Sequence, residues 1–196
     1  MHPVDATLIA KELLAPIKHH YPRRKVIVNH KDEIFSADLI EMPKQKNYHF
    51  ILTVIDCFTK FAFAIPLKNK TGSTITATFK TIFKTRKPEK LWVDKGREFY
   101  NKTFLTFLSD KNISIYSTES ELKAVIIERF NRSLKELIEQ ELLTQELLGK
   151  PRNWLDILPK VINTYNNRFH RSIQMTPIQA SNNPEDIKNE KTVLIK

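Results

Sequence analysis

Residues 34–67, IFSADLIEMPKQKNYHFILTVIDCFTKFAFAIPL, carry the clearest information about the architecture. They contain three runs, 34–42, 48–58 and 60–67, and the second is especially rich in β-branched and aromatic residues, which are typical of strands. The connection between the second and third runs is short, so those two runs are expected to form a hairpin. The segment therefore predicts a meander of three consecutive strands.

The next part of the chain alternates between helical and strand patterns. Apolar residues recur at helical spacing in 72–85 and 101–111. Short apolar runs, LWVD at 91–94 and ISIY at 113–116, predict one strand after each helix. A meander followed by this alternation suits a mixed sheet. The predicted fold class is α/β, a ribonuclease-H-like mixed sheet of about five strands flanked by helices on both faces.

Helices are predicted for the rest of the core. A polar loop at 117–121 leads into a long helix at about 121–148, and a second helix is predicted at about 151–168. Thr176-Pro177 predicts a further helix start, because threonine is a good N-cap and proline suits the first helical turn.

Three parts of the chain follow from these patterns. Residues 1–30 are expected to hold a short amphipathic helix (5–18) and a basic, extended arm. Residues 31–183 form the predicted core, and 184–196 are expected to be a loose polar tail.

Composition restricts the class of protein. Hydrophobic residues make up 41% and charged residues 28%, and no apolar run is long enough for a membrane helix. The N-terminus has no apolar signal region, and Cys57 is the single cysteine. We therefore expect a protein that is not secreted and does not enter a membrane, and that is located in a reducing compartment, the cytosol or the nucleus.

Charge gives the first indication of function. Lys and Arg number 32 against 22 Asp and Glu, a formal net charge of +10, and the sequence pI is about 9.6. Basic domains of this size often bind the phosphate backbone of nucleic acids. A solvated basic surface without a partner fits the charge equally well. Glycine occurs only three times, which excludes a glycine-rich phosphate loop.

Three acidic residues lie where acids are unexpected: Asp38 inside the strand ADLIEM, Asp94 at the end of LWVD, and Glu128 in the helical VIIERFNR. Each also has a purely structural interpretation. Asp38 fits a solvent-facing strand position, and Asp94 fits a turn former. Glu128 fits a helical ion pair with Arg132. No single acid decides between the two interpretations.

The long helix separates into two faces. Its packing stripe is predicted at helical spacing and comprises Ile127, Phe130, Leu134, Leu137 and Ile138. Glu128 lies beside that stripe and shares a face with Asn131, Arg132 and Lys135. A carboxylate, an amide and two cations along one face are suited to contact a metal ion and a phosphate.

Three carboxylates brought together by folding would suit phosphodiester chemistry. In-line displacement at phosphorus can use two divalent cations roughly 3.5–4 Å apart. Hard cations such as Mg²⁺ take oxygen ligands from a few carboxylates, water and substrate phosphate. Asp56 is a fourth candidate for which we favour a structural role, and Glu41 and Glu98 are expected to be peripheral.

Six segments between Tyr21 and Pro177 resemble retroviral-type DDE integrase cores, and most closely those of Polinton/Maverick DNA transposons. The segments are YPRRKVIV, ADLIEM, ILTVIDCFTKFAFAIPLKNKTG, LWVDKGREFYNKTF, YSTESELKAVIIERFNRSLK and YNNRFHRSIQMTP. Their order is far more specific than any one motif.

The resemblance implies that Asp38, Asp94 and Glu128 are the catalytic, metal-binding triad. The interval from Asp94 to Glu128 is 128 − 94 = 34 positions. It is slightly shorter than in retroviral integrases and looks like the spacing of the Polinton-type group. The polar stretch 117–124 matches the family's mobile catalytic loop. The residues expected to contact DNA are Asn131, Arg132, Lys135, Lys123 and Arg129, with Arg23, Arg24, Arg168 and Arg171 as further candidates.

The implied activity is metal-dependent 3′-end processing and strand transfer of mobile-element DNA into target DNA. Mg²⁺ or Mn²⁺ is the expected cofactor, with two ions when DNA is bound. Double-stranded DNA is the expected partner, and the protein is expected to act as a homodimer or higher oligomer because strand transfer needs two DNA ends.

Two alternatives stay open. The chain could be a catalytically silent or domesticated DNA-binding module derived from an integrase, or a ribonuclease-H-type hydrolase. The family's N-terminal zinc module is not expected, because His19, His20 and one cysteine cannot supply its ligands. No C-terminal chromodomain is expected either, so the chain is interpreted as core-centred.

Overall fold

The computed structural model describes residues 25–117, 125–187 and 192–194. Its central sheet has five strands, β2 (Ile34–Gln45), β3 (Tyr48–Asp56), β4 (Ala62–Leu67), β5 (Lys90–Trp92) and β6 (Ser114–Tyr116). Their spatial order is β4-β3-β2-β5-β6. The strands β2, β3 and β4 pair antiparallel as the predicted meander. Strand β5 pairs in parallel with β2, and β6 pairs in parallel with β5. The predicted mixed sheet of five strands is confirmed.

Five α-helices lie in the described part of the chain. They are α1 (Gly72–Ile82), α2 (Lys102–Asp110), α3 (Val125–Leu147), α4 (Trp154–Asn167) and α5 (Pro177–Asn182). Helix α4 begins later than predicted, because the Asn153 side chain accepts hydrogen bonds from the N–H groups of Leu155 and Asp156 and caps the helix there. Thr176 caps α5 as predicted.

The sheet separates two hydrophobic clusters, because successive side chains of a strand point to opposite faces. On β2, Ile34 and Ile40 pack in the cluster that contains α3 and α4, whereas Phe35 and Ala37 pack in the cluster that contains α1 and α2. Helices therefore cover both faces, as predicted. Asp38 shares the parity of Ile34 and Ile40, so its side chain lies on the face covered by α3.

The tail is more ordered than expected at one point. Thr192–Leu194 forms a short strand, β7, that pairs antiparallel with β1 (Lys25–Ile27). A polar segment can form such a pair, because strands pair through backbone N–H and C=O groups that an extended neighbour leaves unpaired. The helix predicted at 5–18 lies outside the described residues. None of the described helices is both long and apolar enough to cross a membrane.

Candidate active site

Asp38 lies in the middle of β2, directly opposite Thr53 of β3. Its Oδ2 accepts a 2.7 Å hydrogen bond from the side-chain amide of Asn131 on α3, and its Oδ1 accepts a 2.8 Å bond from the N–H of Leu39. The hydroxyl of Thr53 donates to the main-chain oxygen of Asp38. A half-buried acid is thus fixed between the sheet and α3 without any cation bonded to it in the described part of the chain.

The electrostatics place the other two predicted acids beside Asp38. Burial raises the pKa of the Asp38 carboxyl, and the negative charges of Asp94 and Glu128 raise it further. The hydrogen bonds from Leu39 and Asn131 act in the opposite direction, because they favour the charged form. Three carboxylates that repel one another form an environment in which a cation is favoured.

The topology explains how residues far apart in sequence meet. Strands β2 and β5 are parallel, and Ser36 lies level with Trp92. Asp38 lies two residues beyond Ser36 on β2, and Asp94 lies two residues beyond Trp92, just after the end of β5. Because successive side chains alternate between the two faces of a sheet, both acids are on the side covered by α3. Glu128 lies in the first turn of α3, one turn before Asn131.

The three carboxylates are neighbours but do not form a closed cage. In the described part of the chain, no group of three or more His, Cys, Asp and Glu side chains is arranged to hold a metal ion. Asp94 and Glu128 are exposed, and Asn131 already bonds one oxygen of Asp38. The donor set itself is one of hard carboxylate oxygens, which suits Mg²⁺ or Mn²⁺ and not a soft metal.

The faces of α3 follow the prediction. The expected packing stripe is buried except for the half-buried Leu137, while Arg132 and Lys135 are exposed beside Glu128. Asn131 lies within the site as the partner of Asp38, and its Oδ1 is buried without a hydrogen-bond partner among the described residues. Arg129 is exposed. Lys123, Arg23 and Arg24 lie outside the described residues, as does most of the predicted loop at 117–124.

Asp56 has the structural role that the sequence favours. It is completely buried, and its carboxylate accepts hydrogen bonds from the hydroxyl of Thr59 at 2.7 Å, the N–H of Phe58 at 3.0 Å, and the guanidinium of Arg86. Arg86 also pairs with Asp32 through a 2.8 Å bond from Nε. This group, which we call the ionic lock, is Asp32, Asp56 and Arg86.

Sequence patterns give no signal for Arg86, which follows a helix as one basic residue among several. Its guanidinium lies between the rings of Phe35 and Phe61, with its carbon 5.5 and 5.3 Å from their centroids. The peripheral role expected of Glu41 fits its 2.8 Å contact with His49, away from Asp38. Glu98 is half-buried in the turn that leads to α2.

Comparison with known proteins identifies sequence relatives of this chain. Residues 28–120 match the family described as the integrase core domain. A transposon-derived protein of Caenorhabditis elegans is 32% identical over 133 residues, covering 67% of this chain and 45% of that protein. The Pro-Pol polyprotein of simian foamy virus type 3 is 28% identical over 179 residues, covering 89% of this chain and 14% of the polyprotein. The chain thus spans less than half the length of either relative.

A solved structure shows the same fold. The HTLV-2 integrase catalytic core domain, determined in complex with magnesium, superimposes with a TM-score of 0.64 at 21% sequence identity. The match covers 78% of this chain and 97% of that domain. Residues 28–120 thus resemble the integrase core domain in sequence, and the chain has the fold of a retroviral integrase catalytic core.

Proposed function

We propose that this chain is the catalytic core of an integrase that cuts and joins DNA phosphodiesters at Asp38, Asp94 and Glu128. The observation that carries the proposal is the convergence of these three carboxylates from β2, the end of β5 and α3, seen in the effect of the Asp94 and Glu128 charges on the half-buried Asp38. A solvated surface acid would not be half-buried against two like charges, because each charge raises the free energy of the others.

The three acids would hold two Mg²⁺ or Mn²⁺ ions when DNA is bound. Such ions, once bound, activate the attacking oxygen and stabilise the leaving oxygen of an in-line displacement. Asn131 would hold the Asp38 carboxylate in place, because its amide already donates to Oδ2. Arg132 and Lys135, exposed beside Glu128, would bind the DNA phosphates.

The reaction comprises two displacements. In 3′-end processing, water attacks phosphorus near the end of the element DNA and the bond from phosphorus to the 3′-oxygen breaks. The 3′-oxygen takes up a proton and becomes a hydroxyl at the end of the element strand, and the removed end leaves with the water oxygen on its 5′-phosphate. In strand transfer that hydroxyl attacks a phosphodiester of the target, forming a new P–O bond while the target's own 3′-oxygen leaves. The protein is proposed to act in the nucleus as a homodimer or higher oligomer, with its core at 31–183. The Polinton/Maverick lineage is proposed from the spacing of Asp94 and Glu128.

The decisive experiment is an oligonucleotide nicking and joining assay with Mg²⁺ or Mn²⁺, comparing wild type with Asp94→Asn. The substitution removes a metal-binding charge and keeps the shape of an exposed side chain. We expect wild-type products that require metal and that the variant does not form. Metal-dependent products formed equally by both proteins would contradict the assignment of Asp94.

A second candidate function is a DNA-binding module that does not cut. The observations in its favour are the net charge of +10 and the open arrangement of the three acids. It predicts DNA binding that is equally strong with and without metal and no cleavage in either protein. Cleavage of an RNA–DNA hybrid without joining would instead indicate the ribonuclease-H-type hydrolase.

A further inference from the structure

Asp94 lies in the turn that connects β5 to α2, residues 94–100, which we call the Asp94 turn. The carboxylate of Asp94 makes no hydrogen bond to another described residue, so its position depends on the main chain that carries it. Val93 and Phe99 are buried before and after the exposed Asp94. Between them, the main-chain oxygen of Gly96 accepts a 3.1 Å hydrogen bond from the N–H of Phe99. The geometry of the acidic triad therefore depends on how firmly this turn is held.

The side chain of Asn101 joins the Asp94 turn to α2. Its Nδ2 donates to the main-chain oxygen of Glu98 at 2.8 Å, and the main-chain oxygen of Arg97 lies 3.5 Å from the same nitrogen. Its Oδ1 accepts a 3.0 Å hydrogen bond from the N–H of Phe104, which caps the helix. Phe104 is fully buried, so the turn is attached through one amide group to a firmly packed helix.

Capping a helix does not by itself require an amide group. Serine and aspartate cap helices about as well as asparagine, but serine has no amide and ionised aspartate has no donor. The same chain contains a second asparagine cap for comparison: Asn153 caps α4 through its Oδ1, and its amide donates to the carboxylate of Asp156 within that helix. The amide of Asn101 instead donates backwards to the main chain of the Asp94 turn. Asn101 therefore stabilises the turn as well as the helix.

Helix α1 lies so close to Asn101 that only glycine fits at the point of contact. Gly72 is the first residue of α1, and a β-carbon at this position would overlap the side-chain amide of Asn101. Glycine lowers the stability of a helix relative to alanine, so the close approach gives this residue a reason to be there. The backbone of α1 thus fills the space beside the amide and restricts its rotation away from the Asp94 turn.

We infer that Asn101, which lies against Gly72, is a positioning residue for the proposed reaction and keeps the Asp94 carboxylate beside Asp38. The inference rests on the proposed function, in which Asp94 binds a metal ion. Asn101 acts on the site only through the main chain of the Asp94 turn. If the turn loosens, Asp94 spends less time where it can share a metal ion with Asp38, and the affinity for the ion falls.

The first test is amide hydrogen exchange measured by NMR, which requires neither metal nor DNA. Asn101→Ser keeps a helix cap and removes the amide that donates to the turn. We expect the N–H of Phe99 to exchange about tenfold faster, the effect of one hydrogen bond, while the N–H of Leu105 within α2 stays protected. The matched control, Asn153→Ser, makes the same change at the cap of α4 and should leave Phe99 unaffected. Equal exchange of Phe99 in wild type and Asn101→Ser would overturn the inference.

The second test measures the affinity for Mn²⁺ without DNA, from the electron paramagnetic resonance signal of the free ion. We expect Asn101→Ser to bind Mn²⁺ about tenfold more weakly than wild type, because loss of groups that orient metal ligands costs about 10–100-fold. Asn153→Ser should bind as wild type does, and Asp94→Asn shows the effect of losing the ligand itself. Equally weakened binding in both serine variants would indicate a general loss of structure and would overturn the inference.

The contact between α1 and the Asn101 amide is tested by Gly72→Ala. The added β-carbon displaces the amide, so this variant should also weaken Mn²⁺ binding. In the Asn101→Ser background the same change should have little further effect, because the shorter serine leaves room for the β-carbon and the amide is already absent. Such non-additivity shows that two residues act through one contact. Fully additive effects would contradict the part assigned to Gly72.

Failure of this inference is distinguishable from failure of the proposed function. A wild-type protein that neither binds Mn²⁺ nor nicks DNA would contradict the proposed function, whereas faster exchange of Phe99 in Asn101→Ser would still show that the amide stabilises the turn. Wild-type Mn²⁺ affinity and wild-type nicking in Asn101→Ser would overturn the inference and leave the acidic triad in place.

Discussion

Asp38 and Asp56 lie on neighbouring strands, yet their surroundings differ in kind. Asp56 is fully buried and its carboxylate is bonded to a guanidinium, a hydroxyl and a backbone N–H. Asp38 is half-buried, and the charges that act on it, Asp94 and Glu128, are also negative. A buried acid whose carboxylate oxygens are bonded to groups of the same chain stabilises the fold. An acid whose neighbours repel it is suited to bind something that the chain itself does not provide.

Breaking the ionic lock is expected to have the largest effect. In Asp56→Asn the buried guanidinium of Arg86 loses its fully buried partner, and uncompensated buried charges cost about 3–5 kcal/mol. Asp32 still pairs with Arg86, so we expect the lower end of that range. Chemical denaturation measures it. An unchanged denaturation midpoint would show that Asp56 is not the structural acid of the comparison.

Asp38→Asn tests the opposite member of the pair. We expect nicking to fall by at least about 100-fold, since loss of groups that merely orient metal ligands already costs about 10–100-fold. Stability should not fall, because the substitution removes a charge that burial and two like charges disfavour. If the Asp38→Asn variant were less stable but nicked DNA normally at low temperature, Asp38 would be the structural acid and not the catalytic one.

Asn131→Ala tests whether the amide that is bonded to the Asp38 carboxylate also controls the pKa of that carboxylate. The amide of Asn131 donates to Asp38 and lowers its pKa, so its loss should raise that pKa further. Activity needs the carboxylate form. The acidic limb of the pH–rate profile should therefore move to higher pH, with a loss of about tenfold near neutrality. A uniform loss at every pH would indicate a structural role alone.

Breaking the exposed ion pairs of Arg152 is expected to have the smallest effect. Arg152 is bonded to Glu139 and Glu146 at the surface, where water competes with each contact. We expect Arg152→Gln to leave the melting temperature and the nicking rate unchanged within error. A clear loss of stability would mean that burial is not what distinguishes the ionic lock.

Much of the fold was predictable because its signals are local. The meander, the sheet-covering helices and the Thr176 cap appear as patterns within a few residues. Helix and strand ends were less predictable, because a single side-chain contact such as the Asn153 cap decides them. The strand formed by Thr192–Leu194 had no local signal, since it depends on a partner at the other end of the chain.

The order of the elements and the unexpected positions of three acids could be read along the chain, because periodicity and residue type are properties of sequence neighbours. The role of each polar group, in contrast, depends on which residues packing brings beside it. Asn131 bonds Asp38 across 93 positions, and Arg86 bonds Asp56 across 30. The burial of a polar group and the charges that act on it depend on its neighbours in space, and those neighbours are set only when the sheet and its helices have packed.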